Sequence, residues 1–178
     1  MSWLQGLQIA ILITTGFEQS EMIGPKNALE EAGAIVHIVA PTEGKVQGWD
    51  CIGLKPLDEF EVDVALKNAS VKDYDALIIP GGFCPDDLRI DPEALAFVKS
   101  FEDKPIAAIC HGPCVLINAG LVNKKTITSW PSIAIDLKNA GANWVDQEVA
   151  IDGNIITSRG PQDVSSFTRA ILESLRKK

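Results

Sequence analysis

The chain has 178 residues, with 24 Asp and Glu against 16 Lys and Arg, a formal net charge of −8, and 46% hydrophobic and 22% charged residues. That length suits one domain, residues 1–178, with enough apolar material for a core, and it argues against extended disorder. The acidity argues against nucleic acid as a bound partner, because phosphate neutralisation needs clustered Lys and Arg and the basic runs stop at Lys124-Lys125 and Arg176-Lys177-Lys178.

In chain order, Leu7 to Thr14 is a continuous apolar run that reads as a buried strand, and Thr15-Gly16-Phe17 turns the chain. Ser20 to Ala32 follows as a helix, with Met22, Ile23, Ala28, Leu29 and Ala32 at helical spacing and Gly33 as its stop. Ala34 to Ala40 and Ala76 to Ile79 are further buried strands, closed by Pro41 and by Pro80-Gly81-Gly82. Between them, Lys45 to Cys51 and Glu61 to Leu66 form a small antiparallel excursion. Pro92 to Ser100 is a helix, Ile106 to Ile109 a strand, and Gly112 to Ala119 a helix ended by Gly120. Ile127 to Ser129, Pro131 to Ala140, Trp144 to Ile151, Asn154 to Ser158 and Val164 to Leu175 complete the chain as strand, helix, strand, strand and helix. Asp152-Gly153 marks a hairpin turn. Strands alternating with helices imply an α/β fold.

No apolar stretch approaches the roughly 20 residues that cross a bilayer, and the N-terminus lacks a basic stretch before its apolar run, so a cytoplasmic protein without a membrane partner is expected. Cys51, Cys84, Cys110 and Cys114 are expected as free thiols. With no Cys-x-x-Cys spacing and only His37 and His111, no metal is expected.

The chemistry concentrates in KPIAAICHGPCVLINAG, residues 104–120. A four-residue apolar strand runs into Cys110, and His111-Gly112-Pro113 opens a helix. This is the strand-to-helix elbow that exposes a nucleophile above a parallel sheet. Helix-start amides beside a thiol lower its pKa and favour the thiolate. A packed structural cysteine is the competing reading of any one thiol, and it is preferred for Cys114 and for Cys84, although Cys84 follows the Gly-Gly pair and could sit at a pocket rim as a resolving thiol. His37, among β-branched residues, reads as structural.

AICHGP, the Pro-Gly-Gly after the preceding strand and Gly16-Phe17-Glu18 after the first strand together resemble the ThiJ/PfpI family, as do TSW-P-S-I at 128–133 and TSRGPQD at 157–163. That family includes the Parkinson-disease-associated deglycase and bacterial intracellular proteases. The resemblance implies a flavodoxin-like sandwich related to class I glutamine amidotransferases, with Cys110 as nucleophile. It implies that Glu18 contacts the thiol, a role in which a protonated carboxyl would hydrogen-bond sulfur or shuttle a proton. Read alone, Glu18 is a helix-start carboxylate stabilised by the dipole, a lesser role that Glu21 fills equally well. Backbone N–H groups of Gly82 and His111 would form the oxyanion hole. His111 would pair with an acid from a neighbouring subunit at the position of Asp86, with Asp87 as the next candidate and a solvated charge as its simpler reading. A homo-oligomer, a dimer or larger, follows from that pairing. Trp130 and Arg159 fall in pocket-side loops.

The resemblance implies a cofactor-free, cysteine-dependent stress-protective hydrolase acting on 2-oxoaldehydes and their protein adducts, of glyoxalase or deglycase type. The alternatives are an intracellular cysteine peptidase or amidase using Cys110 and His111, and a redox-sensing stress protein or chaperone responding through oxidation of Cys110. Glutamine amidotransfer is excluded, because no histidine follows His111.

Overall fold

A computed structural model describes residues 3–176; the outermost residues of the expected domain, 1–2 and 177–178, lie outside the described residues. Its strands are β1 (Gln8–Leu12), β2 (Phe17–Glu18), β3 (Ile35–Ala40), β4 (Lys45–Asp50), β5 (Lys55–Glu61), β6 (Val64–Ala65), β7 (Ala76–Ile79), β8 (Ile106–Ile109), β9 (Thr126–Ile127), β10 (Asn143–Trp144), β11 (Val149–Asp152) and β12 (Ile155–Ser158). Its helices are α1 (Gln19–Glu31), α2 (Cys84–Leu88), α3 (Pro92–Lys99), α4 (Pro113–Asn118), α5 (Ala134–Asn139) and α6 (Val164–Arg176).

Among the described residues the main sheet has seven strands in the order β11-β12-β8-β7-β1-β3-β6, parallel except where β11 meets β12. Taken in chain order, the inner strands β1, β3, β7, β8 and β12 stand as 2-1-3-4-5, which is the flavodoxin-like order. Every residue of β7 and β8 is buried, as an apolar run covered on both faces requires. The helices supply that cover: α1 packs on α6, and α4 packs on α2, α3 and α5. In this topology ligands gather beyond the carboxyl ends of the strands, where the strand order reverses. Here that crevice lies between the ends of β1 and β7, with the end of β8 beside it.

The excursion differs from the sequence expectation. β4 pairs antiparallel with β5, Lys45 opposite Glu61 and Asp50 opposite Lys55, so the second strand precedes the expected Glu61 to Leu66. All of β5 except Phe60 is exposed, which leaves no apolar alternation to reveal it. Val64–Ala65 joins the edge of the main sheet against β3 instead. The expected strand Trp144 to Ile151 is divided, because the exposed Asp146-Gln147-Glu148 step carries the chain from β10, paired with β9, to the sheet edge at β11. The short helix α2 occupies a stretch for which the sequence suggested no element. Asp152-Gly153 does make the β11–β12 hairpin, with Gly153 at φ 63°.

Candidate active site

Cys110 follows β8 and precedes α4, and its φ of 62° is the left-handed backbone of a tight elbow. Few non-glycine residues adopt that conformation unless the surroundings impose it. Here Cys110 N–H donates to Ser158 O at 3.0 Å, and Trp130 N–H donates to Cys110 O at 3.0 Å. The thiol is 7% exposed.

The turn after β7 closes over it. A Cβ on Gly81 would stand 2.5 Å from Cys110 Cβ and 2.9 Å from His111 N, and one on Gly82, at φ 90°, would stand 2.4 Å from Glu18 N. Only glycine permits both approaches. They bring the backbone N–H groups of Gly82 and His111, one from each turn, to the side of the sulfur, where both favour its charged form.

Among the glutamates, the structure departs from what the resemblance implies. Glu18 does not face the thiol. Its Oε1 accepts from Ser20 Oγ at 2.8 Å and caps α1, and its Oε2 accepts from Cys51 N–H at 2.9 Å. Glu21, in the first turn of α1 and fully buried, takes the place beside Cys110: its Oε2 accepts from Gly81 N–H at 2.7 Å, and Oε1, without a hydrogen-bond partner among the described residues, is left on the side of the sulfur. Helix geometry accounts for the exchange. Glu21, Pro25 and Leu29 are four residues apart on one buried face, whereas Glu18 precedes the first turn. Burial pushes the Glu21 carboxyl up to about 8, so it holds a proton at neutral pH.

The thiol itself is not acidified. Burial raises the Cys110 pKa, against the opposing pull of the Gly82 and His111 amides, and Glu21 raises it further once it ionises. The depression expected from the helix start is outweighed. Cys110 Sγ lies 3.3 Å from His111 Nδ1. Burial lowers the His111 pKa and the charge of Asp86 partly offsets it, so the imidazole is neutral and able to accept a proton. Within this chain, among the described residues, Asp86 makes no hydrogen bond to His111; Ser132 Oγ does, 3.2 Å from Nε2, and Trp130 stacks on the ring with centroids 6.3 Å apart.

These groups open into a cavity of about 210 Å³. Cys110, His111 and Gly82 form its floor, with Glu18, Asp86, Phe83, Trp130 and Pro161 around them, and Cys51 and Ile52 from the end of β4 form a wall that the sequence did not signal. All four cysteines are free. Cys84 is fully buried, away from the expected rim position, with its thiol pushed up to about 12, and Cys114 is likewise core. Asp87 is an exposed charge on α2, His37 packs edge-on against Tyr74, and Arg159 is paired with Asp146 and Asp163 outside the cavity lining. Among the described residues, no group of three or more His, Cys, Asp or Glu side chains is placed to hold a metal, and no helix is long and apolar enough to cross a membrane.

The sequence profile of the DJ-1/PfpI family matches residues 7–174. Two Bacillus subtilis proteins are similar along almost their whole length. YraA, whose name assigns it provisionally to the cysteine proteases, is 44% identical over 95% of this chain and 98% of its own. General stress protein 18 is 40% identical over 97% and 99%. Deglycase TK1284 of Thermococcus kodakarensis is 39% identical over 96% of this chain and all of its own. Among solved structures, Drosophila melanogaster DJ-1beta superposes with a TM-score of 0.86 at 28% identity, covering 97% of this chain and 91% of that one.

Proposed function

The chain belongs to the DJ-1/PfpI family, and on that premise we propose that it is a cofactor-free cysteine enzyme that converts small 2-oxoaldehydes to 2-hydroxy acids, and their adducts on proteins to the same acids with release of the free protein side chain. One observation carries the proposal: a thiol held on an elbow, with two backbone amides directed at its sulfur, at the floor of a cavity of about 210 Å³. A relative named as a deglycase and one named as a general stress protein support the same direction.

The residues suggest the following course. His111 Nδ1 takes the Cys110 proton as sulfur attacks the aldehyde carbon, and the new oxyanion is held by the Gly82 and His111 amides. A proton moves from the aldehyde carbon to the adjacent carbonyl carbon through an enediol, which leaves a thioester of the 2-hydroxy acid. Water hydrolyses that thioester and returns the proton to Cys110. No external oxidant or reductant is consumed, since one carbon is oxidised as its neighbour is reduced. Glu21, protonated below about pH 8, is a donor for the sulfur or the enediol oxygen.

The cavity lining favours this substrate class over a peptide. Among the described residues Glu18 and Asp86 are its charged groups, and no Lys or Arg lines it. An uncharged dicarbonyl therefore meets no desolvated partner of the wrong sign. Peptide cleavage needs a charged general acid for the amine leaving group, and among the described residues His111 is partnered by a serine hydroxyl, which orients the ring without the negative charge that would stabilise an imidazolium. A homo-oligomer in a cytoplasmic setting remains part of the proposal on the family resemblance; every group used above comes from one chain.

The test is loss of methylglyoxal with formation of lactate, without glutathione, by wild type and Cys110→Ser in parallel. Turnover by wild type and none by the variant is the expected result. No turnover by either, with selective oxidation of Cys110 by dilute peroxide, overturns the proposal in favour of a redox sensor.

A further inference from the structure

His111 is held on three sides by groups of its own chain. Its Nδ1 lies 3.3 Å from Cys110 Sγ, its Nε2 lies 3.2 Å from Ser132 Oγ, and the Trp130 ring stacks on its face. Ser132 sits on the 3-10 turn Pro131–Ile133, which is pinned by Ile133 N–H donating to Trp130 O at 3.2 Å. The Trp130 backbone is in turn bound to the elbow through its bond to Cys110 O. The hydroxyl is thus fixed relative to the thiol, not carried on a free loop.

A neutral imidazole has one N–H, and its two neighbours decide where that hydrogen goes. A hydroxyl oxygen accepts a hydrogen bond well, and a thiol sulfur accepts poorly. The better pairing puts the hydrogen on Nε2, donating to Ser132 Oγ, and leaves the Nδ1 lone pair toward the Cys110 S–H. From this geometry we propose that Ser132 is a positioning residue that fixes His111 in its Nε2–H tautomer, so that Nδ1 is the base that receives the Cys110 proton. Hydrogen bonds at the ring then run one way: Cys110 S–H to Nδ1, and Nε2–H to Ser132. The serine does within one chain what a carboxylate does in a Cys-His-acid triad, without the charge that would raise the imidazole pKa. That suits a site in which His111 must start neutral.

This inference rests on the catalytic reading above for its kinetic arm, and on nothing but the ring for its spectroscopic arm. The experiment is 15N NMR of the His111 ring at pH 7.5 in wild type, Ser132→Ala and Ser132→Thr, with methylglyoxal kinetics on the same samples. Wild type is expected to show a pyridine-like Nδ1 and a pyrrole-like Nε2. Ser132→Ala is expected to show an averaged tautomer mixture and a kcat lower by roughly 3- to 10-fold, a fraction of what acid–base catalysis supplies. Ser132→Thr is expected to restore both, which a packing defect would not allow. A wild-type ring protonated on Nδ1, or a Ser132→Ala ring unchanged from wild type, overturns the inference even if turnover is robust. A clear tautomer change on Ser132→Ala without turnover by any sample keeps the positioning role and overturns the catalytic reading alone.

Discussion

Two regions build the cavity, and they contribute different things. The floor comes from the ends of three parallel strands: the turn after β1, the Gly81-Gly82 turn after β7 and the Cys110 elbow after β8. Cys110 is buried there and His111 and Gly82 half-buried, laced by backbone hydrogen bonds and spaced by glycines that admit no side chain. The wall comes from the end of β4, where Ile52 is 70% exposed and Cys51 half-buried, on a hairpin whose second strand faces water. Glu18 joins the two, capping α1 on the floor with one oxygen and holding the Cys51 amide with the other. The arrangement teaches a division of labour: chemistry is fixed where the backbone cannot move, and access is set where it can.

The comparison breaks most sharply at the thiol. Cys110→Ser is expected to lower turnover by a factor on the order of 10³ or more, since the nucleophile and its base act as a unit. Circular dichroism should be unchanged, because Oγ replaces Sγ in the same buried space.

Next in size is Glu21→Gln on the floor, expected to lower kcat by roughly 10- to 100-fold with little change in KM, by removing a proton donor from the sulfur. The wild-type profile should fall as pH rises through about 8, where Glu21 ionises and its charge opposes the thiolate; in the variant that limb should vanish. Stability gives the same group a second readout. The folded protein keeps a proton on Glu21 up to about 8, whereas the unfolded chain releases it near the ordinary value of 4.5. The stabilisation from this group is therefore full below 4.5 and is lost as pH rises through 8. Urea titrations at pH 5 and pH 8.5 should show a larger drop for wild type than for Glu21→Gln. Equal drops would mean that Glu21 is ionised throughout.

Glu18→Ala should act differently, although the two glutamates stand three residues apart. Loss of the cap is expected to cost about 1 kcal/mol of stability. Release of the Cys51 amide should raise KM several-fold and leave kcat nearly unchanged. A kcat loss matching that of Glu21→Gln would erase the distinction between floor and joint.

That pair also marks where the sequence stops being legible. The strands Ala76–Ile79 and Ile106–Ile109 could be read to the residue because burial on both faces leaves an unbroken apolar run, ended by Pro80 in one and by the elbow Cys110 in the other. The elbow was legible for the same reason, as a strand that ends where a Gly-Pro helix start begins. Which glutamate meets the thiol depends on helix phase, not on proximity to the turn. The phase was present in Glu21, Pro25 and Leu29, but a motif reading favours the first acid after the glycine. Cys51 and Ile52 gave no signal, since where a hairpin end lands is a tertiary fact with no local pattern. The TSW-P-S-I stretch was visible as a pocket-side loop, but not the contact its Ser132 makes: it reaches His111 across 21 residues, on a turn too short to have a periodicity.

The smallest expected effect lies on the wall, and it is the one that tests whether the wall matters. Ile52 lines the cavity yet exposes most of its surface, so it has little to lose on unfolding; Ile52→Ser should change stability by no more than about 0.5 kcal/mol. Its remaining apolar surface faces whatever occupies the cavity. A small aldehyde such as methylglyoxal, seated on the floor, should be turned over by the variant as by wild type. Phenylglyoxal, whose ring must extend past the floor toward the wall, should show a KM higher by roughly 2- to 5-fold, the partial loss of one apolar contact. The kcat for both should stand, because no group that moves a proton has been touched. If kcat falls for both substrates, the hairpin orders the floor as well as flanking it, and the division between the two regions fails.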